Sequence, residues 1–258
     1  KGSRFLLPFL FYVLEVCICY GKPGKISDMF KALFKNDQAM TVVVSIILVY
    51  TSLNICGNLV LYFFRFDVGN EGAYSIFAAV AFAAQVLVMM VIPLLRKRFS
   101  KSQLFISGFI IQISGFAVIL IMAFAKLYTP QSWYILCLPG ILIYLGYGML
   151  NVIMTIFLSD SVDYGEVMNG TREESVIFSM QTFTVKLASG VAVFLAGLVV
   201  DWIHLDTAAA VQTQDTLDAL RMWMTIPSVI LLIVGIFVFK RFYKLDDARM
   251  EEIKSKLN

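Results

Sequence analysis

A lysine in the middle of a long apolar stretch is the side chain best placed to do chemistry. Lys186 lies near the centre of the segment from Val176 to Val200. A lysine at the centre of a membrane span costs roughly 2.5–3.5 kcal/mol on insertion scales, so a simple anchor would not keep it. About ten residues lie on either side, too many for its stem to reach the interface. We therefore expect a polar cavity for a substrate or ion. The alternative is a lysine paired with a carboxylate merely to hold helices together.

Polar residues recur at helical spacing around this lysine. Three or four positions separate the members of the set Ser175, Ser179, Thr182, Lys186 and Ser189. That spacing places them in one stripe along a helix face, which we call the polar stripe. Gln181 borders it. The stripe is expected to form one wall of the cavity.

A second charged group lies between two apolar stretches. Asp160, Asp163 and Glu166 recur every three residues, so a continuing helix would stack three carboxylates on about one face. Arg172 and the basic run 96–101 are the available partners. The segment could be a solvated loop. The regular spacing favours an ion-pair network at the inner membrane face that must break when the cavity opens.

Two other apolar stretches carry polar residues. Thr51, Asn54 and Asn58 share a face of the first stretch, and the fourth contains Pro139-Gly140 followed by the set Tyr144, Gly146, Tyr147, Gly148 and Asn151. Such positions suit a bent helix beside an aqueous pathway, although each could also serve helix packing. We expect Asn54, Asn58 and Tyr147 to line the cavity and Asn151 to contact its occupant.

The elements that position these residues are long apolar segments. The 258 residues are 59% hydrophobic and 15% charged, with a mean hydropathy of +0.81, which indicates an integral membrane protein. Six stretches are long enough to cross a bilayer: 40–64, 74–95, 104–125, 133–158, 176–200 and 222–242. The predicted fold is an all-α bundle of six transmembrane helices over residues 40–243.

The distribution of Lys and Arg predicts the orientation. Basic residues gather before the first stretch, between the second and third, and after the sixth, whereas the outer connections hold only Arg65, Lys126 and Arg221. Both ends are therefore expected to be cytoplasmic. Residues 1–39 read as an apolar segment plus a cytoplasmic linker, and 244–258 as a short solvated tail. The apolar segment Phe5–Tyr20 suits a signal-peptide-like region, the remnant of a preceding helix, or residues from a misplaced start.

Composition also argues against other classes. The net charge of +3 is small and unevenly placed, so it does not indicate nucleic acid as a partner. His204 has no clustered ligands, and the four cysteines are scattered through apolar segments, so no metal site is predicted. No catalytic triad, phosphate loop or nucleotide motif is present, and no enzyme is expected.

Two segments carry a family resemblance. Asp-Ser-Val-Asp-Tyr-Gly-Glu at 160–166, followed by Asn169, Arg172, Glu174-Ser175 and Ser-Met-Gln-Thr at 179–182, resembles the glycoside–pentoside–hexuronide:cation symporters. The Lys-Asn-Asp-Gln step at 35–38 is also similar to that family. The resemblance implies a major facilitator fold of two six-helix bundles, of which this chain looks like the second. A first bundle, a sugar or glycoside and a coupling Na⁺, Li⁺ or H⁺ are the implied partners.

The resemblance also implies roles for residues. Lys186 matches a lysine facing the central cavity, and Gln181 and Thr182 match neighbours lining the sugar pocket. The cytoplasmic gate of the family matches a charged cluster here, Asp160, Asp163, Glu166 and Arg172. Asn151 departs from the tryptophan that the melibiose carrier has beside its sugar, which puts galactoside specificity in doubt. The cation-binding carboxylates of the family lie in the first bundle.

The function expected is the C-terminal half of a sugar:cation symporter in a bacterial-type inner membrane. The alternative is a non-transporting membrane scaffold or an inactive transporter fragment.

Overall fold

A computed structural model describes residues 34–209 and 211–257. The expectations for Phe5–Tyr20 and for most of the linker lie outside the described residues. Within them the chain is helical, in the order α1 (Asp37–Tyr62), α2 (Ala73–Leu95), α3 (Lys101–Phe124), α4 (Cys137–Asn169), α5 (Glu174–Trp202), α6 (Gln214–Phe242) and α7 (Asp247–Leu257). A π-helical segment (Phe63–Asp67) continues α1, and a 3₁₀ turn (Trp133–Leu136) precedes α4.

The six helices long and apolar enough to cross a membrane coincide with the six predicted stretches. The largest difference is in α4, which continues to Asn169 where the apolar stretch ends at Leu158. Its last turns bury Asp160, Ser161 and Gly165 against neighbouring elements, so tertiary packing supports a helix that apolar composition does not mark. Gly170, at φ 73°, ends it in the left-handed conformation that glycine adopts readily.

The helices are unequally buried. α1 packs against α4, α5 and α6, and α4 packs against α2 and α3. Within the most apolar 18-residue part of each helix, 61% of the residues of α1 are buried in the bundle, compared with 28% in α5 and 22% in α2. α1 and α4 thus form the centre of the bundle, while α2 and α5 each keep a broad exposed face.

The glycines of α4 serve close packing. A Cβ at Gly146 would lie 2.6 Å from the Gln112 backbone nitrogen of α3, and one at Gly148 would lie 2.6 Å from Val88 of α2. A Cβ at Gly140 would overlap the Phe77 ring of α2. Gly140, Gly146 and Gly148 therefore allow neighbouring helices to approach α4 closely, which is the helix-packing role weighed for them from the sequence.

The tail is a docked helix and differs from the solvated tail expected. Leu245, Met250 and Ile253 are buried against Tyr164 and Val167 of α4. Helical period places Met250 and Ile253 on one side of α7, and their burial fixes the helix across the end of the bundle.

Candidate functional site

The polar stripe lies on the exposed side of α5. Ser175, Ser179, Thr182 and Lys186 are exposed and Ser189 is half-buried. The buried residues of α5, which packs mainly on α1, are Ile177, Met180, Thr184, Ala188, Ala192, Ala196 and Val199. We call this exposed side the open face. Lys186 stands 12 residues from the start of α5 and 16 from its end, or roughly 18 and 24 Å along the axis.

Lys186 has no hydrogen bond or ion pair with another side chain in the part of the chain that the structure describes. The alternative weighed from the sequence, a lysine paired with a carboxylate to hold helices together, therefore has no partner among these residues. An ammonium group at this depth requires a polar environment.

A hydrogen-bonded group at the centre of the bundle joins α1 to α4. The amide nitrogen of Asn151 donates to Tyr50 Oη at 2.6 Å, and the Tyr50 and Tyr147 rings meet edge to face at 5.5 Å. Tyr147 is 8% exposed, so it supports this surface instead of lining a cavity as expected. Asn151 is half-buried and remains accessible.

Gln181 connects this group to α5. Its amide nitrogen lies 3.5 Å from the Thr155 hydroxyl, one turn beyond Asn151 on α4. Thr155 in turn donates to the Asn151 carbonyl at 3.1 Å. Gln181, Thr155 and Asn151 thus form a continuous polar surface, and Thr182 and Lys186 stand beside it on α5.

The polar residues of α1 extend this surface along the helix. Asn54 donates to the Tyr50 carbonyl and Asn58 to the Asn54 carbonyl, both at 2.7 Å. Asn58 and Tyr62 then line a cleft of about 550 Å³ with residues of α5, among them Asp201. Thr51, expected on the same face, is buried and its hydroxyl has no partner among the described residues.

The acidic residues at the end of α4 divide into two groups. Asp160 forms a buried ion pair with Lys101 of α3, and Lys101 Nζ also lies 3.4 Å from Asp247 of α7. Arg96 lies 3.6 Å from Asp247. Lys101 of the basic run therefore pairs with the acidic segment, and Asp247 of the tail helix pairs with both Lys101 and Arg96.

The second group, the Arg172 cluster, surrounds one guanidinium. Arg172 Nη1 lies 2.8 Å from Glu166 and 3.1 Å from Asp163, and Nε lies 3.1 Å from Glu174. The hydrogen bonds to Glu166 and Glu174 raise the pKa of Arg172 above its usual range, so it stays charged. Asp160, expected to belong with these residues, points elsewhere because positions 160 and 166 differ by about 120° around a helix.

The two segments that carry the resemblance meet in space, which the sequence did not predict. The amide nitrogen of Asn36 donates to the Ser161 carbonyl at 2.7 Å, and its oxygen accepts from the Ala39 backbone at 2.9 Å as the N-cap of α1. Gln38 accepts from the Lys244 backbone at 2.8 Å. The Lys-Asn-Asp-Gln step thus ties the start of α1 to α4 and to the end of α6.

A buried charged group at the opposite end of the bundle was also missed. Arg221 of α6 donates through Nε to Asp67 Oδ2 at 2.8 Å and through Nη2 to Oδ1 at 2.5 Å. The Tyr128 hydroxyl donates to Asp67 at 2.6 Å, and Asp218 accepts from Arg221 at 2.7 Å. Burial, and then the hydrogen bond to Asp67, raise the pKa of Tyr128, so its phenol stays a donor. Asp67, Tyr128 and Arg221 lie 61 to 154 positions apart along the chain, and no local pattern links these three.

Comparison with known proteins places this arrangement in context. The family model described as MFS/sugar transport protein matches residues 21–247. The uncharacterized symporter YjmB of Bacillus subtilis is 25% identical over 90% of this chain and 49% of its own length. The raffinose carrier protein of Pediococcus pentosaceus is 23% identical over 90% of this chain and 35% of its own length. The isoprimeverose transporter of Lactiplantibacillus pentosus is 25% identical over 86% of this chain and 44% of its own length. The chain thus spans about half the length of these three relatives, or less.

Proposed function

The chain belongs to the MFS/sugar transport protein family, and we propose that it forms the C-terminal half of a sugar or glycoside:cation symporter. It is an integral membrane protein, and six helices within the described residues are long and apolar enough to cross a membrane. Its family consists of transport proteins, not enzymes. The proposed mechanism is alternating access, in which this bundle and a first bundle rock around a shared site near the membrane midplane.

The observation that carries the proposal is the open face of α5. It presents an ammonium group at mid-membrane depth without a partner among the described residues. Exposure of Lys186 to lipid would cost several kcal/mol, and a facing bundle would remove that cost by enclosing a polar cavity. The matched region covers half or less of the length of the three relatives, which supports another bundle as the source of that facing surface.

The polar surface on α4 and α5 is the proposed sugar site. Lys186 would supply a charge and hydrogen-bond donors, and Thr182, Gln181 and Asn151 would bond sugar hydroxyls. Amide and hydroxyl groups suit this task because each can donate and accept. Asn54 and Asn58 would continue the cavity wall, supported from within by Tyr147.

The Arg172 cluster is the proposed moving part of the cytoplasmic gate, and the buried Lys101–Asp160 pair is its proposed fixed support. Their ion pairs join α4 to α3, α3 to α7, and α4 through Arg172 to the start of α5. Such contacts have two discrete arrangements, paired and separated, as a gate requires. Asp163, Glu166 and Arg172 would exchange partners as the inner side opens, while Asp160 and Lys101 would hold α4 on α3.

The remaining parts of the proposal concern coupling and location. A Na⁺, Li⁺ or H⁺ gradient would drive uptake, with the cation ligands on the first bundle. The location proposed is a bacterial-type inner membrane with both ends of the six-helix bundle cytoplasmic, as the Lys and Arg distribution favours.

The test compares the chain alone with a complete carrier. Liposomes containing only these 258 residues should accumulate no sugar under an imposed Na⁺ or proton gradient. Fusion to the first half of the raffinose carrier relative should give accumulation of a sugar. In that fusion Lys186→Ala should abolish accumulation, and Lys186→Arg should fail too, because a planar guanidinium does not replace a compact ammonium in a tight site.

A control variant separates the loss of Lys186 from the loss of any exposed positive charge. Lys97→Ala removes an exposed charge that takes part in no ion pair among the described residues, and it should leave accumulation unchanged. Accumulation by the chain alone would overturn the half-carrier proposal in favour of a self-sufficient dimer. Accumulation by the Lys186→Ala fusion at the unsubstituted level would return this lysine to a structural role.

A further inference from the structure

A cleft of about 600 Å³ lies between the start of α1 and the end of α6, away from the open face. Its lining includes Asp37, Met40 and Val44 of α1 and Val238, Arg241 and Lys244 at the end of α6 and just beyond it. The membrane-crossing helices α1 and α6 begin at Asp37 and end at Phe242, so the cleft opens at the membrane–water boundary.

The walls of the cleft are amphipathic along the membrane normal. Met40, Val44 and Val238 form the wall that runs into the apolar part of the helices, and all three are half-buried. Arg241 and Lys244 stand at the mouth and are exposed. A ligand that fills this cleft therefore needs an apolar body and a polar head.

The two cations at the mouth are available to a ligand. Neither Arg241 nor Lys244 forms an ion pair with a carboxylate in residues 34–209 and 211–257. Arg241 lies over the Phe242 ring at 5.7 Å, which holds the guanidinium at the cleft. The carboxylate of Asp37 also lines the cleft, but its Oδ2 already accepts from the Gln38 amide at 2.8 Å.

Gln38 fixes the shape of the cleft. It accepts from the Lys244 backbone at 2.8 Å, and its amide nitrogen lies 3.4 Å from the Phe242 carbonyl. These contacts hold the end of α6 against the start of α1. The basic residues are thereby kept beside the apolar wall.

We propose that this cleft binds one anionic phospholipid, with its phosphate against Arg241 and Lys244 and an acyl chain along Met40, Val44 and Val238. Basic pockets between transmembrane helices at the membrane surface select anionic headgroups by charge. The apolar wall requires the acyl chain, so a free phosphate does not suffice. The site is independent of the proposed transport activity.

The experiment measures lipid retention by the purified full chain. Native mass spectrometry should find one phosphatidylglycerol retained per chain in preference to phosphatidylcholine of the same acyl composition. Each basic residue near a headgroup contributes about a five-fold preference, so Arg241→Gln with Lys244→Gln should lower that preference roughly 30-fold. Lys240→Gln with Lys254→Gln removes the same charge outside the cleft and should leave it unchanged.

Two further measurements test whether the ligand is a lipid and whether the apolar wall is needed to bind it. Glycerol 1-phosphate should neither raise the unfolding temperature nor displace the lipid, and equal protection by it would overturn a lipid site in favour of a bare anion site. Val238→Trp should fill the cleft and abolish retention while both cations remain. Equal retention of the two lipids by the unsubstituted chain, or equal loss in both double variants, would also overturn the proposal. Unfolding temperatures measured without added lipid establish that each variant is folded.

Discussion

The side-chain amide of Asn36 occupies the space beside Gly165 that a larger residue would need. A Cβ on Gly165 would lie 2.7 Å from Asn36 Nδ2. Asn36 cannot easily move away, because it is buried and bonds both the Ser161 carbonyl and the Ala39 backbone nitrogen. Close packing of Asn36 against position 165 therefore accounts for a glycine there.

Gly165→Ala is expected to destabilise the chain by roughly 1–3 kcal/mol, because the added methyl displaces Asn36. The cost should be smaller in an Asn36→Ala background, where the space is free but the cap of α1 is already lost. The measurement is the free energy of unfolding in mixed micelles for the two single variants and the double variant. Gly57→Ala is the control, since a Cβ there meets nothing within 4 Å. Equal costs in both backgrounds would mean that the contact is not the cause.

Asp67→Asn is expected to cost about 3 kcal/mol, because the buried Arg221 guanidinium loses its two-bond carboxylate partner and keeps only the charge of Asp218, which is partly exposed. Arg221→Lys should be nearly as damaging, since one ammonium cannot make both hydrogen bonds to the carboxylate. The control is Arg65→Gln, which breaks an exposed pair with Glu71 at 3.6 Å and should cost at most about 1 kcal/mol. Similar unfolding free energies for all three variants would show that the buried pair adds nothing.

The Arg172 cluster should affect transport more than stability. Arg172 is about half exposed, so neutralising it should change the unfolding free energy by less than about 1 kcal/mol. In a complete carrier, Asp163→Asn and Arg172→Gln should each impair uptake more than the double change does. Initial uptake rates of the four forms give the coupling between the two residues. Additive effects would make the segment a solvated connector.

Opposite ends of the bundle should label from opposite sides of the membrane. Lys97 and Val211 are exposed in connections at the two ends, and Val211 is 83% exposed. Single cysteines at these positions, with the native cysteines replaced by alanine, should react with an impermeant maleimide from different faces of sealed vesicles. Labelling of both from one face would refute the arrangement of spans.

The sequence predicted the membrane helices well and their contacts poorly. Apolar runs of about 20 residues identify a span because lipid requires every backbone group to bond internally, and that condition is local. The end of α4 was underestimated, since Asp160 and Ser161 are held in the helix by contacts with Lys101 and Asn36. Such contacts join residues 59 and 125 positions apart and leave no periodic signal.

The candidate site shows the same division. Helical spacing grouped Thr182 and Lys186 correctly on one face of α5, because the period is set by the helix itself. It also grouped Asp160 with Asp163, which the structure separates into different ion pairs. The group of Asp67, Tyr128 and Arg221 was missed because one residue lies in each of three distant segments.

The backbone bonds of Asn54 and Asn58 have a consequence for synthesis in the cell. α1 makes extensive contacts with α4, α5 and α6. The ribosome synthesises these three helices after α2 and α3, so α1 enters the membrane before its packing partners exist. An unsatisfied amide in hydrocarbon costs several kcal/mol, but each asparagine donates to the carbonyl four residues before it within α1. An amide N–H of each asparagine is therefore already hydrogen-bonded within α1 while the helix inserts into the membrane. The amide oxygens stay available for groups on the helices that pack against α1 later.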